Sequence, residues 1–211
     1  MNNFLHGLYA ITNEQLMPSD TFAKKAEAAL CGGTNIIQYR DKSSDIQKRL
    51  SQASTLKQLC TQYNSILIIN DDIDLAKKVD ADGVHIGKND QSFEQARQLL
   101  GENKIIGVSC YNQLPLAYSA AEKGADYIAF GSFFSSSIKP EAPCAETSLI
   151  SDFKKERQTP VCCIGGITTE NYTTLLNSGA DMLAVISDIF SHNQTQLISD
   201  KCRTYTDAFK S

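Results

Sequence analysis

The chain has 211 residues, with 20 basic against 24 acidic side chains and a net charge of −4. That length suits one domain, and the charge lacks the basic excess that a nucleic acid or an anionic membrane surface would require of a partner. No apolar run approaches the roughly 20 residues of a membrane span, and the opening MNNFLHGLYAITN has neither the basic start nor the apolar core of a signal peptide.

Seven cysteines, an odd number without C-x-x-C spacing, argue against a disulfide framework or a structural zinc site. Cys31, Cys60, Cys162 and Cys163 fall in apolar segments and read as small buried hydrophobes. The expected compartment is the reducing cytoplasm. The sequons at Asn171 and Asn193 are then chance matches.

In chain order, short apolar runs alternate with helical patterns. The predicted strands are 8–12, 35–40, 66–71, 83–87, 104–110, 127–132, 160–166 and 182–190. Their near-continuous hydrophobicity marks strands buried on both faces. Amphipathic stretches at 21–30, 92–100 and 114–124 lie between them. Ser92 with Gln95 three residues on matches a capping box, and Gly32, Gly124 and Gly179 stand after helical patterns. Eight strand–helix units at roughly 26 residues each predict a single (β/α)8 barrel over 1–211. The alternative, an open doubly wound sheet, lacks its G-x-G-x-x-G fingerprint.

Polar residues collect after the strands, and in a parallel barrel those ends meet at one face. Gln38, Arg40 and Lys42 alternate with period two, so they share a face. An Arg fork and a Lys point charge suit a polyphosphate. Ion pairs of Arg40 and Lys42 with Asp41 and Asp45 are the bland alternative, and spacing alone leaves the two even.

Asp71 and Asp90 follow neighbouring strands, and magnesium favours one or two carboxylates completed by water and phosphate oxygens. Asp72 is expected to cap the following helix instead. Lys139 stands behind Ser135, Ser136 and Ser137 in a long loop that reads either as an anion clamp or as an ordinary solvated loop.

Gly165-Gly166 and Ile186-Ser187 follow strands seven and eight, where barrels often hold a monophosphate on bare backbone N–H groups. His6 and His192 are expected to be exposed, and His85, flanked by Val84 and Ile86, to be a hydrogen-bonded core residue.

Taken together, LYAIT, QYRDK, INDDIDLA, DGVHIGKND, GVSCY, GADYIAFGSFF, CIGGI and SGADMLAVISDI resemble thiamine phosphate synthase over nearly the whole chain. The resemblance implies a barrel transferase that joins 4-amino-2-methyl-5-hydroxymethylpyrimidine diphosphate to 4-methyl-5-(2-hydroxyethyl)thiazole phosphate. Thiamine phosphate and pyrophosphate are the products.

It further implies that Gln38, Arg40, Lys42, Asn70, Ser109 and Lys139 meet the pyrimidine diphosphate, with Asp71 and Asp90 on one magnesium ion per subunit. Gly166, Ile186 and Ser187 would hold the thiazole phosphate, with Ser136 and Ser137 also on substrate. Arg40, Lys42, Ser109 and Lys139 would be the catalytic set. The partners are these small molecules, with a homo-oligomer allowed.

The loop after strand six departs from the family's usual F-P-T-x-T-K. Ser136 keeps the first hydroxyl, and Ile138 loses the second. A thiazole tautomerase or a non-catalytic thiazole-phosphate-binding barrel is the nearest rival. Ser132 stands where the tautomerases carry a catalytic histidine.

Overall fold

The computed structural model describes residues 5–87, 92–135 and 144–210. Eight parallel strands close into a barrel in sequence order: β1 (Gly7–Ile11), β2 (Ile36–Tyr39), β3 (Ile66–Asn70), β4 (Gly83–Ile86), β5 (Ile105–Tyr111), β6 (Tyr127–Gly131), β7 (Val161–Ile164) and β8 (Met182–Val185). The helices between them are α1 (Phe22–Cys31), α2 (Ile46–Tyr63), α3 (Ile73–Lys78), α4 (Phe93–Leu100), α5 (Leu114–Glu122), α6 (Ser148–Glu156) and α7 (Thr173–Asn177). Beyond β8 come the short α8 (Ser187–Phe190) and the closing α9 (Thr195–Ala208). No helix among the described residues is long and apolar enough to cross a membrane.

The expected eighth strand ran too far. Apolar character continues through SDIF, yet β8 stops at Val185 and those four residues wind into α8. A run of hydrophobes does not by itself distinguish a strand from the short buried helix that follows it. Cys31 is a second correction. It is exposed at the end of α1, whereas Cys60, Cys162 and Cys163 are buried as expected. The Ser92–Gln95 capping box forms, and Asp72 caps α3 through the Leu75 amide.

Period-two alternation sorts each strand into two cores. Leu8, Ile37, Leu67, Ile69 and Leu183 face outward into the layer shared with the helices. Tyr9, Ile36, Ile68, Tyr127, Cys162 and Met182 fill the barrel interior.

The end of the barrel where the strands begin carries a repeated clip. Asp82, just before β4, donates its amide to the Leu67 carbonyl and accepts the Leu67 N–H on its carboxylate at 2.8 Å. Asp126 does the same with Ile106, at 2.8 Å, and Asp181 with Val161, at 2.7 Å. Each carboxylate also pairs with a cation from the helix preceding the odd strand: Lys57, Arg97 and Lys154 respectively.

The corresponding position before β2 is Asn35, whose amide donates to the Leu8 carbonyl. Among the described residues no helix precedes β1 to supply a cation there, and the residue is uncharged. Three strand pairs, β3–β4, β5–β6 and β7–β8, are thus clipped by a carboxylate at the end opposite the strand C-termini, and β1–β2 has the main-chain bond of Asn35 in that place.

Candidate active site

A cavity of about 350 Å³ opens among the C-terminal ends of the strands. Its upper wall collects Gln38 and Arg40 from β2 and its loop, Asn70 from β3 and Ser109 from β5. The opposite wall is backbone-rich, built of Gly165, Gly166 and Ile167 after β7 and of Ile186 and Ser187 after β8.

Local hydrogen bonding places each polar group. Thr12, at the end of β1, accepts the Arg40 amide at 2.8 Å and donates to the Arg40 carbonyl at 3.2 Å, so β1 continues to support β2 past the ladder. Asp41 turns inward, accepting the Ser43 amide at 2.7 Å and pairing with Lys48. Asp45 caps α2. Neither acid pairs with Lys42, whose ammonium reaches across to the carboxylate of Asp71.

Asp71 sits at the rim with a left-handed backbone, φ 63°. Its amide donates to the His85 carbonyl at 2.9 Å, and its carboxylate also accepts the Asn70 side-chain amide at 2.6 Å. Among the described residues no cluster of three or more His, Cys, Asp or Glu could cage a metal.

The floor is a chain of polar groups crossing the barrel. The Gln38 amide donates to the Tyr9 hydroxyl at 2.9 Å. The Tyr9 and Tyr127 hydroxyls meet at 2.8 Å, and the Tyr127 hydroxyl lies 3.0 Å from His85 Nδ1. Burial pushes both phenols well above their usual range and holds His85 down at about 4, against a smaller opposing pull from Asp71. All three are therefore neutral near pH 7.

Gly107 makes room for this chain: a Cβ there would lie 1.9 Å from the Tyr127 ring. The glycine wall is equally tight. Gly166 has φ 59°, and a Cβ would approach the Ser135 carbonyl oxygen to 2.6 Å. Asn171 fastens it, donating to the Gly166 carbonyl at 2.9 Å.

The model of the thiamine monophosphate synthase family matches residues 8–189. Thiamine-phosphate synthase of Alcanivorax borkumensis is 45% identical over 206 residues, covering 98% of this chain and 95% of that one. The chain belongs to the thiamine monophosphate synthase family. Its function is that of the family, thiamine phosphate synthesis, and its reaction class is that of a transferase.

The thiamine-phosphate synthase of Nitrosococcus oceani is 44% identical, with 90% of this chain and 88% of that one covered. Among solved structures, thiamine phosphate pyrophosphorylase from Pyrococcus furiosus superposes with a TM-score of 0.87. The two are 31% identical, and 99% of each chain is covered.

Within this thiamine monophosphate synthase fold, eight of the residues singled out in the sequence line one cavity: Gln38, Arg40, Asn70, Ser109, Gly165, Gly166, Ile186 and Ser187. Lys42 and Asp71 stand paired beside it. Asp90, Ser136, Ser137, Ile138 and Lys139 lie outside the described residues.

His85 is hydrogen-bonded, as expected, but it is not sealed in the core: its ring forms part of the cavity wall. Ser132 lines the cavity too, and so do Tyr9, Asn13 and Tyr127, which had not been singled out for it. The available signal was strand periodicity. His85 pairs with Asn70 in the ladder, so the two share a layer and a direction.

Proposed function

We propose that this cavity condenses the pyrimidine diphosphate with the thiazole phosphate, the pyrimidine half being held on the β2, β3 and β5 side and the thiazole phosphate on the glycine wall. One observation carries the reading. Residues from five separate strand ends, Gln38, Arg40, Asn70, Ser109 and the Gly166–Ser187 pair of loops, converge on a single cavity. Cationic and amide donors stand on one side, and a glycine-rich backbone cradle flanked by Ile167, Ile186 and Ser187 stands on the other. That division suits two anionic substrates of different charge.

Magnesium fits the chemistry of the donor set. Asp71 offers a carboxylate at the rim, next to the ammonium of Lys42 that diphosphate oxygens would attract. Asp71 and Asp90 would hold the ion, which prefers one or two carboxylates with phosphate oxygens completing the shell. When bound, it would neutralise charge on the diphosphate.

The side chains do the remainder. Arg40 and Lys42, with Lys139, take up the charge that develops on pyrophosphate as the carbon–oxygen bond breaks and its electron pair leaves with the oxygen. The resulting pyrimidine methylene cation is stabilised by conjugation with its own amino group. The thiazole nitrogen then donates its lone pair to that carbon, forming the carbon–nitrogen bond of thiamine phosphate.

No proton needs to move in bond formation, which agrees with a His85 held neutral by burial. Positioning and fixed electrostatics supply the acceleration. The test mixes both phosphorylated halves with the protein, with and without magnesium, and follows pyrophosphate. Release that requires both the metal and the thiazole partner is expected. Release indifferent to the thiazole would point to hydrolysis and overturn the reading.

A further inference from the structure

The β7–β8 ladder ends at the Ile164–Ala184 pair. The cavity wall lies beyond it, in Gly165–Gly166 and Ile186–Ser187. No ladder bond sets the spacing of these two segments, and glycine backbone at φ 108° and 59° has little stiffness of its own.

A tie stands immediately behind Ser187. Asp188 Oδ2 accepts the Thr169 amide, from the loop after β7, at 3.3 Å. The same oxygen accepts the Tyr205 hydroxyl of α9 at 2.7 Å. Lys201, also on α9, donates to Asp188 Oδ1 at 3.0 Å and Oδ2 at 3.3 Å, and to Thr169 Oγ1 at 2.9 Å. The carboxylate is largely withdrawn from solvent, with 14% of its side chain exposed.

One acid thus joins the two loops to each other and to the closing helix. The other end of α8 is fastened by a different cation: buried Lys25 donates to the Phe190 carbonyl at 3.1 Å.

The geometry points to Asp188, held by Lys201, as a positioning residue that sets the gap between the two phosphate-bearing loops and so governs recognition of the phosphorylated thiazole. This inference rests on the assignment of that phosphate to the glycine wall. Neither side chain lines the cavity, so the effect passes through Thr169 and Ser187. Charge-assisted bonds are roughly twice as strong as neutral ones, and a displacement of about 1 Å in a binding group can cost on the order of 100-fold in rate.

Steady-state kinetics of the full chain with magnesium test it, varying each substrate in turn for Asp188→Ala, Lys201→Met and the double variant. KM for the thiazole phosphate should rise about tenfold in each single variant, with KM for the pyrimidine diphosphate within about twofold of wild type. Reaction with the unphosphorylated thiazole alcohol should not change. The double variant should be no worse than the poorer single one, because the pair acts as a unit. Asp188→Asn keeps an acceptor for the Thr169 amide and should recover part of the loss. It also carries the comparison if Asp188→Ala does not fold.

Folded variants with both KM values intact would overturn the clamp and leave the assignment of the loops standing. Equal losses with phosphate and alcohol would overturn it as well. A rise confined to the pyrimidine diphosphate would overturn the assignment of the loops, and the clamp with it.

Discussion

Lys42 and Asp71 form an ion pair that joins the loop after β2 to the loop after β3 at the mouth of the barrel. The carboxylate proposed for magnesium is thus engaged by the ammonium proposed for the diphosphate, so productive binding exchanges one set of partners for another. Replacing Lys42 with Met should strengthen binding of a bare divalent ion by up to about fivefold, since an exposed pair contributes at most about 1 kcal/mol. Turnover should fall on the order of 100-fold. Manganese titration followed by electron paramagnetic resonance, together with a pyrophosphate assay, measures both. Weaker metal binding in the variant would show that Lys42 supports the ion and does not compete with it.

The aspartate clips predict a loss of stability without a loss of chemistry. In Asp181→Ala the Val161 N–H loses its acceptor and Lys154 its partner. A buried amide left unsatisfied costs about 1–3 kcal/mol, readable as a lower urea midpoint at unchanged slope. Asp181→Asn keeps an acceptor and should lose less. Activity per folded molecule should equal that of the wild type in both, and a changed KM would show that the lower end communicates with the site.

His85 gives the stability curve an acid limb. Burial holds the folded imidazole at about 4, below its unfolded value near 6.5. Between those values the unfolded chain binds the extra proton, so stability falls as pH drops through that window, with a slope of up to about 1.4 kcal/mol per pH unit. The slope is spent once the folded histidine is itself protonated. His85→Asn should flatten the unfolding free energy between pH 6.5 and 4. A slope identical to wild type would assign the acid limb to other groups.

Gly166→Ala tests the backbone cradle. The added methyl would approach the carbonyl oxygens of Phe134 and Ser135 to 2.8 and 2.6 Å, and both are main chain and cannot swing aside. A left-handed φ of 59° adds roughly 1–2 kcal/mol for any L residue. The variant should lower the thermal midpoint by several degrees and raise KM for the thiazole phosphate more than for the pyrimidine diphosphate. Equal KM changes would argue against the glycine wall as the monophosphate site.

The barrel was legible because strands buried on both faces leave long apolar runs, and because each run ends where polar loop residues begin. The polar strand ends at Gln38, Arg40, Asn70 and Ser109 converge as read, since parallel closure leaves those ends no other place to go. Tyr9 and Tyr127 escaped notice because a tyrosine inside an apolar run looks like core packing. The two stand 118 positions apart, and their hydroxyls meet only once the chain between them has folded.

His85 was half legible. Flanking Val84 and Ile86 point outward and conceal that the ring faces the cavity. Asp188 lay beside a residue assigned to substrate, yet its bonds run to Thr169, Lys201 and Tyr205. None of the three is close to it in sequence.

The clips at Asp82, Asp126 and Asp181 separate durability from catalysis along the barrel axis. These three ion-paired seams lie at one pole, and the cavity lies at the other. A substitution at the cavity end therefore leaves the three carboxylate clips themselves intact. Among the described residues Asn35 is the uncharged counterpart of these three acids, so heating should open the β1–β2 junction before the three strand pairs whose lower ends carry an ion-paired carboxylate.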